Sequence, residues 1–369
     1  MLERYFRLAP LTVPLYAILI ASLVGTLFIV GAGANPVTAY TALVNGALGS
    51  PDRIATTIGR ATPFMIGALA VALGFKAGLF NIGAEGQLLL GALSAAWVGT
   101  WSWLAGLPAV LTIPLVLVAG MLGGLVWGGI PGVLKAKTGA HEVITTIMLN
   151  SIAAALAQYL ITSRRPVLLI DQTASTPHTR PLTESARLPS LVEGTGLHLG
   201  IVLALLLCVA THLVLNRTTP GFEIRTVGVS KDAARYAGMP VQRTIIMVMA
   251  ASGALAGIAG AAEVSGGSSG YLTPGAFTNI GFDSIAIALL ARGNPLAVVP
   301  AALLWGALLS GAPLMQVEAD LSVNLVRIVQ ALIILFVAAD AIVRRLFRIR
   351  APRDATDISP ATFSRGWGG

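Results

Sequence analysis

Long apolar runs separated by short polar segments set the pattern of this chain. Crossing a bilayer takes roughly 20 apolar residues, because a helix rises about 1.5 Å per residue. Runs near that length are predicted at 9–32, 53–74, 83–103, 108–131, 142–162, 198–216, 243–263, 280–292, 295–312 and 323–343, the eighth being short. Hydrocarbon offers no partner for backbone polar groups, so these runs are read as helices. The pattern predicts an all-α polytopic membrane protein of about ten transmembrane helices, with nine or eight as alternative counts. The first run is too long for the apolar part of a signal peptide and is read as an uncleaved span, with cleavage after "GAGA" as the alternative.

The predicted organisation is a single transmembrane domain over 1–343 and a tail over 344–369. Two polar segments interrupt the domain. Residues 164–197 are rich in Pro, Ser and Thr and predict an external loop or small cap. Residues 217–243 predict a loop carrying a short helix: Pro220 and Gly221 for a turn, Ser230 as N-cap before "KDAARYAG", and Gly238 as the stop. Basic residues give the orientation. Arg4, Arg7, Lys76, Lys135, Lys137, the arginines of 217–243 and the final "RRLFRIRAPR" fall on one side, which puts both termini in the cytoplasm. The segment 164–197, with Arg164, Arg165, Arg180 and Arg187, is the exception.

Composition agrees with a lipid-embedded chain. Of 369 residues, 55% are hydrophobic and 11% charged, against about 25% charged in soluble domains; mean hydropathy is +0.81. The net charge of +8 sits in short segments between spans, a membrane-surface pattern rather than a nucleic-acid-binding one. Cys208 is the single cysteine, so no disulfide forms within the chain.

Polar residues inside apolar spans are costly and mark interior contacts or solute paths. The stretch "GFKAGLFNIGAEGQLLLGAL", 74–93, carries Asn81, Glu85 and Gln87 among five glycines. Two readings stand: a broken helix lining a solute path, or a turn at Lys76 whose polar residues tie helices together. A partial echo follows at 277–291, where Asn279-Ile280-Gly281-Phe282-Asp283 repeats Asn81-Ile82-Gly83-Ala84-Glu85 at an offset of 279 − 81 = 198. In the predicted topology the spans after the two copies run oppositely, the mark of an inverted repeat around a midplane site. Asn150 falls inside a span and is a further path candidate. Glu263 and Asp283 flank a Gly/Ser-rich break that reads as a re-entrant element, a gate or an ordinary loop. His141-Glu142 begins an HExxH pattern that Thr145 ends, which removes zinc-protease chemistry. No GxxxxGK[ST] occurs, so ATP hydrolysis would need another subunit.

Three motifs carry a family resemblance over about residues 55–343. "GFKAGLFNIGAEGQLLLGA", "GAHEVITTIMLN", and "RTVGVSKDAARYAGMPVQR" followed by "ASGALAGIAGA" resemble the membrane-spanning permeases of bacterial ABC importers, in the branch for branched-chain amino acids, simple sugars and nucleosides. "FNIGAEGQ" with "HEVITTIMLN" most resembles the nucleoside permeases, which work with a basic-membrane-protein-type lipoprotein. The sugar permeases have an acid-Leu-Ser-Val-Gly version of Phe80-Asn81-Ile82-Gly83. The resemblance implies a non-enzymatic chain of the bacterial cytoplasmic membrane, without cofactor of its own. Two ATPase subunits would hold ATP and magnesium, a second permease, identical or paralogous, would pair with it, and a solute-binding lipoprotein would deliver solute. It implies a coupling helix with Arg225, Gly228, Ala233, Ala234 and Gly238, and a solute path with Asn81, Glu85, Gln87, Asn150, Asn279 and Asp283. Sugars or branched-chain amino acids are the alternative solutes, and an ion-coupled carrier the alternative class.

Overall fold

The computed structural model describes residues 19–338; Arg4, Arg7, the first half of the first predicted span and the 344–369 tail lie outside the described residues. The helices are α1 (Leu19–Gly31), α2 (Pro36–Leu48), α3 (Pro51–Lys76), α4 (Ala84–Gly99), α5 (Ala109–Thr138), α6 (Glu142–Thr162), α7 (Gly200–Arg217), α8 (Thr219–Val229), α9 (Lys231–Tyr236), α10 (Val241–Gly266), α11 (Ile280–Leu290), α12 (Val298–Glu318) and α13 (Val323–Ala338). One small antiparallel pair, β1 (Ser190–Val192) with β2 (Leu197–His198), is the strand structure among the described residues. Six helices are long and apolar enough to cross a bilayer: α3, α5, α6, α7, α10 and α12. The chain is thus a multi-pass membrane protein. α1, α11 and α13 are apolar but shorter, and α4 has 16 residues.

The described residues divide into two compact units, one of residues 19–54 with 307–338, the other Ala55–Gly306. In the first, Asn35 caps α2 by accepting from the Val37 N–H at 2.9 Å, with Pro36 opening the helix. A Cβ on Gly46 would lie 2.9 Å from the Gly311 Cα, so α2 and α12 meet backbone to backbone there. Ile29, Met315 and Val329 form the core of this unit.

In the second unit α3 is the central post: 83% of its apolar window is buried, against 22% for α5. Small residues set the spacing of its neighbours. A Cβ on Gly257 of α10 would fall 2.2 Å from the Gly120 carbonyl oxygen of α5, and one on Gly124 would fall 2.2 Å from the Gly253 oxygen. Gly91 of α4 meets the Gly257 backbone in the same way. In lipid no hydrophobic force draws helices together, so close backbone packing of this kind supplies the attraction.

Residues 164–198 form a cap over one end of this unit. Thr179 and Leu272 exchange two hydrogen bonds of 2.9 and 3.0 Å. Arg187 donates to the carbonyls of Gly267 and Ser268 at 3.1 and 2.6 Å. The segment 217–243 lies at the opposite end, and it differs from expectation. Thr218, not a turn at Pro220-Gly221, is followed by a helix: its hydroxyl accepts from the Gly221 N–H at 3.2 Å and α8 starts at once. Gly221 permits this by packing on the Val214 and Leu215 carbonyls, where a Cβ would clash. Ser230 caps α9 as expected, accepting from the Ala233 N–H at 3.2 Å, and Gly238, at φ +78°, follows its end.

Two short helices begin inside the unit. After α3 ends at Lys76, residues 77–83 turn back along it and α4 starts at Ala84, running toward the cap. After α10 ends at Gly266, residues 267–279 pass the cap and α11 starts at Ile280, running the other way until Gly293 reaches the Lys76 side chain. At about 1.5 Å per residue α11 is roughly 16 Å long, half a hydrocarbon core of about 30 Å. The two starts meet: a Cβ on Gly281 would lie 2.2 Å from the Glu85 nitrogen.

Candidate functional site

The first turn of any helix leaves backbone N–H groups without partners, and α4 begins among buried residues, Gly83, Ala84 and Gly86. Side chains supply partners there. Asn81 Oδ1 accepts from the Gly83 N–H at 2.9 Å, and Asn150 Oδ1, on α6, accepts from the Gly86 N–H at 2.9 Å. The Asn150 amide in turn donates to the Ile82 carbonyl at 3.0 Å. Asn81 Nδ2 donates to Gln87 Oε1 at 2.9 Å and to Ser252 Oγ at 2.8 Å, while Gln87 Nε2 donates back to Asn81 Oδ1 at 3.2 Å. Ser252, on α10, donates its hydroxyl hydrogen bond to the Ala70 carbonyl of α3 at 2.6 Å. Asn81 and Ser252 are fully buried, Gln87 is 1% exposed and Asn150 8%. This network joins α3, α4, α6 and α10 through polar atoms in an apolar surround, where an unmade bond costs most.

The second helix start is held differently. Glu85, from the first turn of α4, accepts from the Asn279 N–H at 2.7 Å and the Gly281 N–H at 2.6 Å. Asn279 is left-handed, at φ +74°, directly before the right-handed first turn of α11. Such an alternation points successive N–H groups into one concavity suited to an anion, and the Glu85 carboxylate occupies it. Two helix starts facing each other bring two partial positive ends together; Glu85 lies where it offsets both. Asp283 lies in the first turn of α11, whose start meets that of α4, and among the described residues its carboxylate accepts no hydrogen bond.

The six path candidates therefore fall into two groups. Asn81, Gln87 and Asn150 are buried and occupied with one another and with backbone. Glu85, Asn279 and Asp283 meet where the two short helices begin, Asn279 being exposed. Ser252 is the member that sequence reasoning missed. Its signal was a lone hydroxyl in "ASGALAGIAGA".

At the opposite end from the cap, the 217–243 segment grips the same break from outside. A Cβ on Gly228 would fall 2.2 Å from the Lys76 carbonyl oxygen, and one on Gly78, at φ +65°, 3.0 Å from the Gly228 oxygen. Val227 and Ala234 pack with Ala77 and Leu79. Arg225 donates to Asn216 Oδ1 at 2.7 Å. Of the five coupling candidates, Arg225, Gly228 and Ala234 thus attach α8 and α9 to the body of the unit, whereas Ala233 and Gly238 are exposed. Phe222, Val229 and Tyr236 add exposed apolar surface, Tyr236 being 98% exposed. Lys135, at the end of α5, pairs with Glu142, at the start of α6, at 2.8 Å. Lys231, the first residue of α9, feels both charges; partial desolvation and then Lys135 hold its ammonium below the ordinary lysine range.

A family model described as the permease component of branched-chain amino acid transport systems matches residues 53–338. The chain is 42% identical over 340 residues to the guanosine ABC transporter permease protein NupP of Bacillus subtilis, covering 92% of this chain and 96% of the relative. It is 36% identical over 361 residues to the nucleoside ABC transporter permease protein NupB of Lactococcus lactis, covering 96% and 97%. It is also 36% identical over 362 residues to the glucose ABC transporter permease protein TsgB13 of Haloferax volcanii, covering 93% of each. No solved structure matches the chain.

Proposed function

The chain belongs to the permease family of branched-chain amino acid transport systems, and from that premise we propose that it is the translocation subunit of an ATP-driven importer of nucleosides. The observation that carries the solute assignment is its nearly full-length likeness to permeases named for guanosine and for nucleosides. A nucleoside is neutral and rich in hydroxyl and amide groups. The polar centre around Asn81, Gln87, Asn150, Glu85, Asn279 and Asp283 offers amides and carboxylates of matching kind, without a basic residue among them. In this reading the path opens beside the facing starts of α4 and α11, which are the broken helices of an inverted repeat within about ten spans.

The chain makes and breaks no bonds of its own. ATP and magnesium belong to two separate ATPase subunits, which dock on α8 and α9 through Phe222, Val229 and Tyr236, with Arg225, Gly228, Ala233, Ala234 and Gly238 shaping and anchoring that surface. A second permease, identical or paralogous, completes the membrane part, and a solute-binding lipoprotein delivers solute at the cap. Both termini lie in the cytoplasm of a bacterial cell, and the cap faces out. ATP-driven closure of the ATPase pair moves α8 and α9, and their backbone contact with residues 76–78 carries the motion to the break.

A second reading, a simple-sugar permease, is favoured by the relative named for glucose. Reconstituting the chain with its ATPase, second permease and lipoprotein and measuring ATP-dependent uptake of labelled guanosine, adenosine, cytidine, glucose and leucine separates them. Uptake of nucleosides is expected. Uptake of glucose alone selects the second reading, and uptake of leucine alone refutes both.

A further inference from the structure

The two copies of the Asn-Ile-Gly-x-acid motif correspond residue by residue at one offset: 279 − 81, 281 − 83 and 283 − 85 all equal 198. In the structure they are directly engaged, but asymmetrically. The acid of the first copy, Glu85, takes the N–H groups of the first and third residues of the second, Asn279 and Gly281. The reciprocal clasp would have Asp283 take the N–H groups of Asn81 and Gly83. It is absent: the Gly83 N–H is held by the Asn81 side chain, and the Asp283 carboxylate accepts no hydrogen bond among the described residues. Asn279, which corresponds to Asn81, is left-handed, while Asn81 is not. The same short sequence thus stands in two arrangements within one chain, one capped by its own asparagine and one clasped by the other copy.

We propose that Glu85 and Asp283 are alternative positioning residues of one exchangeable clasp, with the Glu85 clasp closed in this state and the Asp283 clasp closed in the oppositely facing one. The inference rests on the permease reading but not on the identity of the solute. Three observations favour exchange over a fixed tie. Both carboxylates lie in the first turns of helices whose starts meet backbone to backbone, Gly281 against Glu85, so they share one junction. Forming the second clasp requires Asn81 Oδ1 to release Gly83, which loosens the Asn81–Gln87–Ser252 network and so links the clasp to α3 and α10. The turn that leads into the first copy is also in backbone contact with the 217–243 segment, through Gly78 and Gly228. A transport cycle needs contacts made in one state and not in the other; two carboxylate arms sharing one junction supply them.

The test uses the assembled transporter in lipid, with Cys208→Ala and Ser284→Cys as a reporter. Ser284 is fully buried on α11 one turn from the clasp, and cysteine is nearly isosteric with it. Maleimide labelling of that cysteine is followed without nucleotide and in the vanadate-trapped state; no transported solute is needed, so a wrong solute assignment leaves the result intact. Glu85→Gln is expected to raise labelling about tenfold in whichever state protects the reporter, with Glu85→Asp restoring protection in part. Asp283→Asn is expected to leave that protection in place and to lower labelling in the other state. Shifts in the same direction for both variants, or in neither, overturn the proposal. Should Glu85→Gln fail to accumulate, Asp283→Asn decides alone: unchanged labelling in both states overturns it, and a reporter protected in both states supports it.

Discussion

Replacing Asn81 by the similarly shaped Leu isolates what the buried amide network contributes. The variant deletes four hydrogen bonds, two donated through Nδ2 and two accepted at Oδ1. Ser252 keeps its bond to the Ala70 carbonyl, so it loses an optional contact. Gln87 Oε1, Gln87 Nε2 and the Gly83 N–H are left without those partners in a site that is 0–1% exposed at Asn81 and Gln87. At about 1–3 kcal/mol per orphaned group the sum is about 3–9 kcal/mol, and entry of a water brings the expected cost to about 3–5 kcal/mol. Gln87→Leu alone leaves Asn81 bonded to Ser252 and Gly83 and is expected to cost about 1–2 kcal/mol. The double variant Asn81→Leu/Gln87→Leu orphans the Gly83 N–H alone of these three groups, for about 1–3 kcal/mol. The double is therefore expected to be more stable than the Asn81 single, with a coupling energy of at least about 1 kcal/mol. Reversible unfolding in mixed micelles, read by tryptophan fluorescence, measures all three. An Asn81→Leu cost under about 1 kcal/mol, or additive single costs, would refute the reasoning. It would also return Asn81 to the role of a wetted path residue, which unchanged stability with lost uptake would then identify.

Three further outcomes follow from other parts of the structure. Gly257→Val is expected to prevent accumulation in the membrane, because its Cβ would fall 2.2 Å from the Gly120 carbonyl oxygen, whereas Gly129→Ala, whose nearest contact is 4.0 Å away, should match the parent in yield and melting temperature. Lys135→Glu should destabilise the α5–α6 turn by about 1–2 kcal/mol, between the ranges for exposed and buried pairs, and the swap Lys135→Glu/Glu142→Lys should recover most of the uptake per ATP hydrolysed, since the pair is partly buried at 2.8 Å. His198, in β2, is buried and accepts from the Gly200 N–H through Nδ1 at 3.1 Å, and burial holds its pKa below the ordinary histidine value. Below about pH 6.5 the unfolded chain binds the proton that the folded chain refuses, so melting temperature should fall as pH drops from 7 toward 5, at a slope no steeper than about 1.4 kcal/mol per pH unit; His198→Gln should flatten that slope.

The polar break was legible in the sequence because apolar spans make every amide conspicuous, but what each amide faces was not. Asn81 lies 171 residues from Ser252 and 6 from Gln87, and both bond to it equally well. A hydroxyl among small residues carries no sign of its partner, since Ser252 is defined by how closely α10 approaches α3. That approach depends in turn on Gly253 and Gly257 fitting against α5, an interlocking of backbones that leaves a pattern of small residues and nothing about which helix they meet. The 219–221 turn was misread for a related reason. Thr-Pro-Gly is good turn chemistry in isolation, yet Pro also suits the first turn of a helix, and a glycine can start one where it must pass two carbonyls of the preceding helix. The repeat at 277–291 was visible by eye, but a match of letters predicts matching conformations. In the folded chain the two stretches stand in unequal surroundings: the Gly83 N–H is taken by its own Asn81, whereas the Asn279 and Gly281 N–H groups are taken by Glu85, a residue 194 and 196 positions away that no local pattern points to.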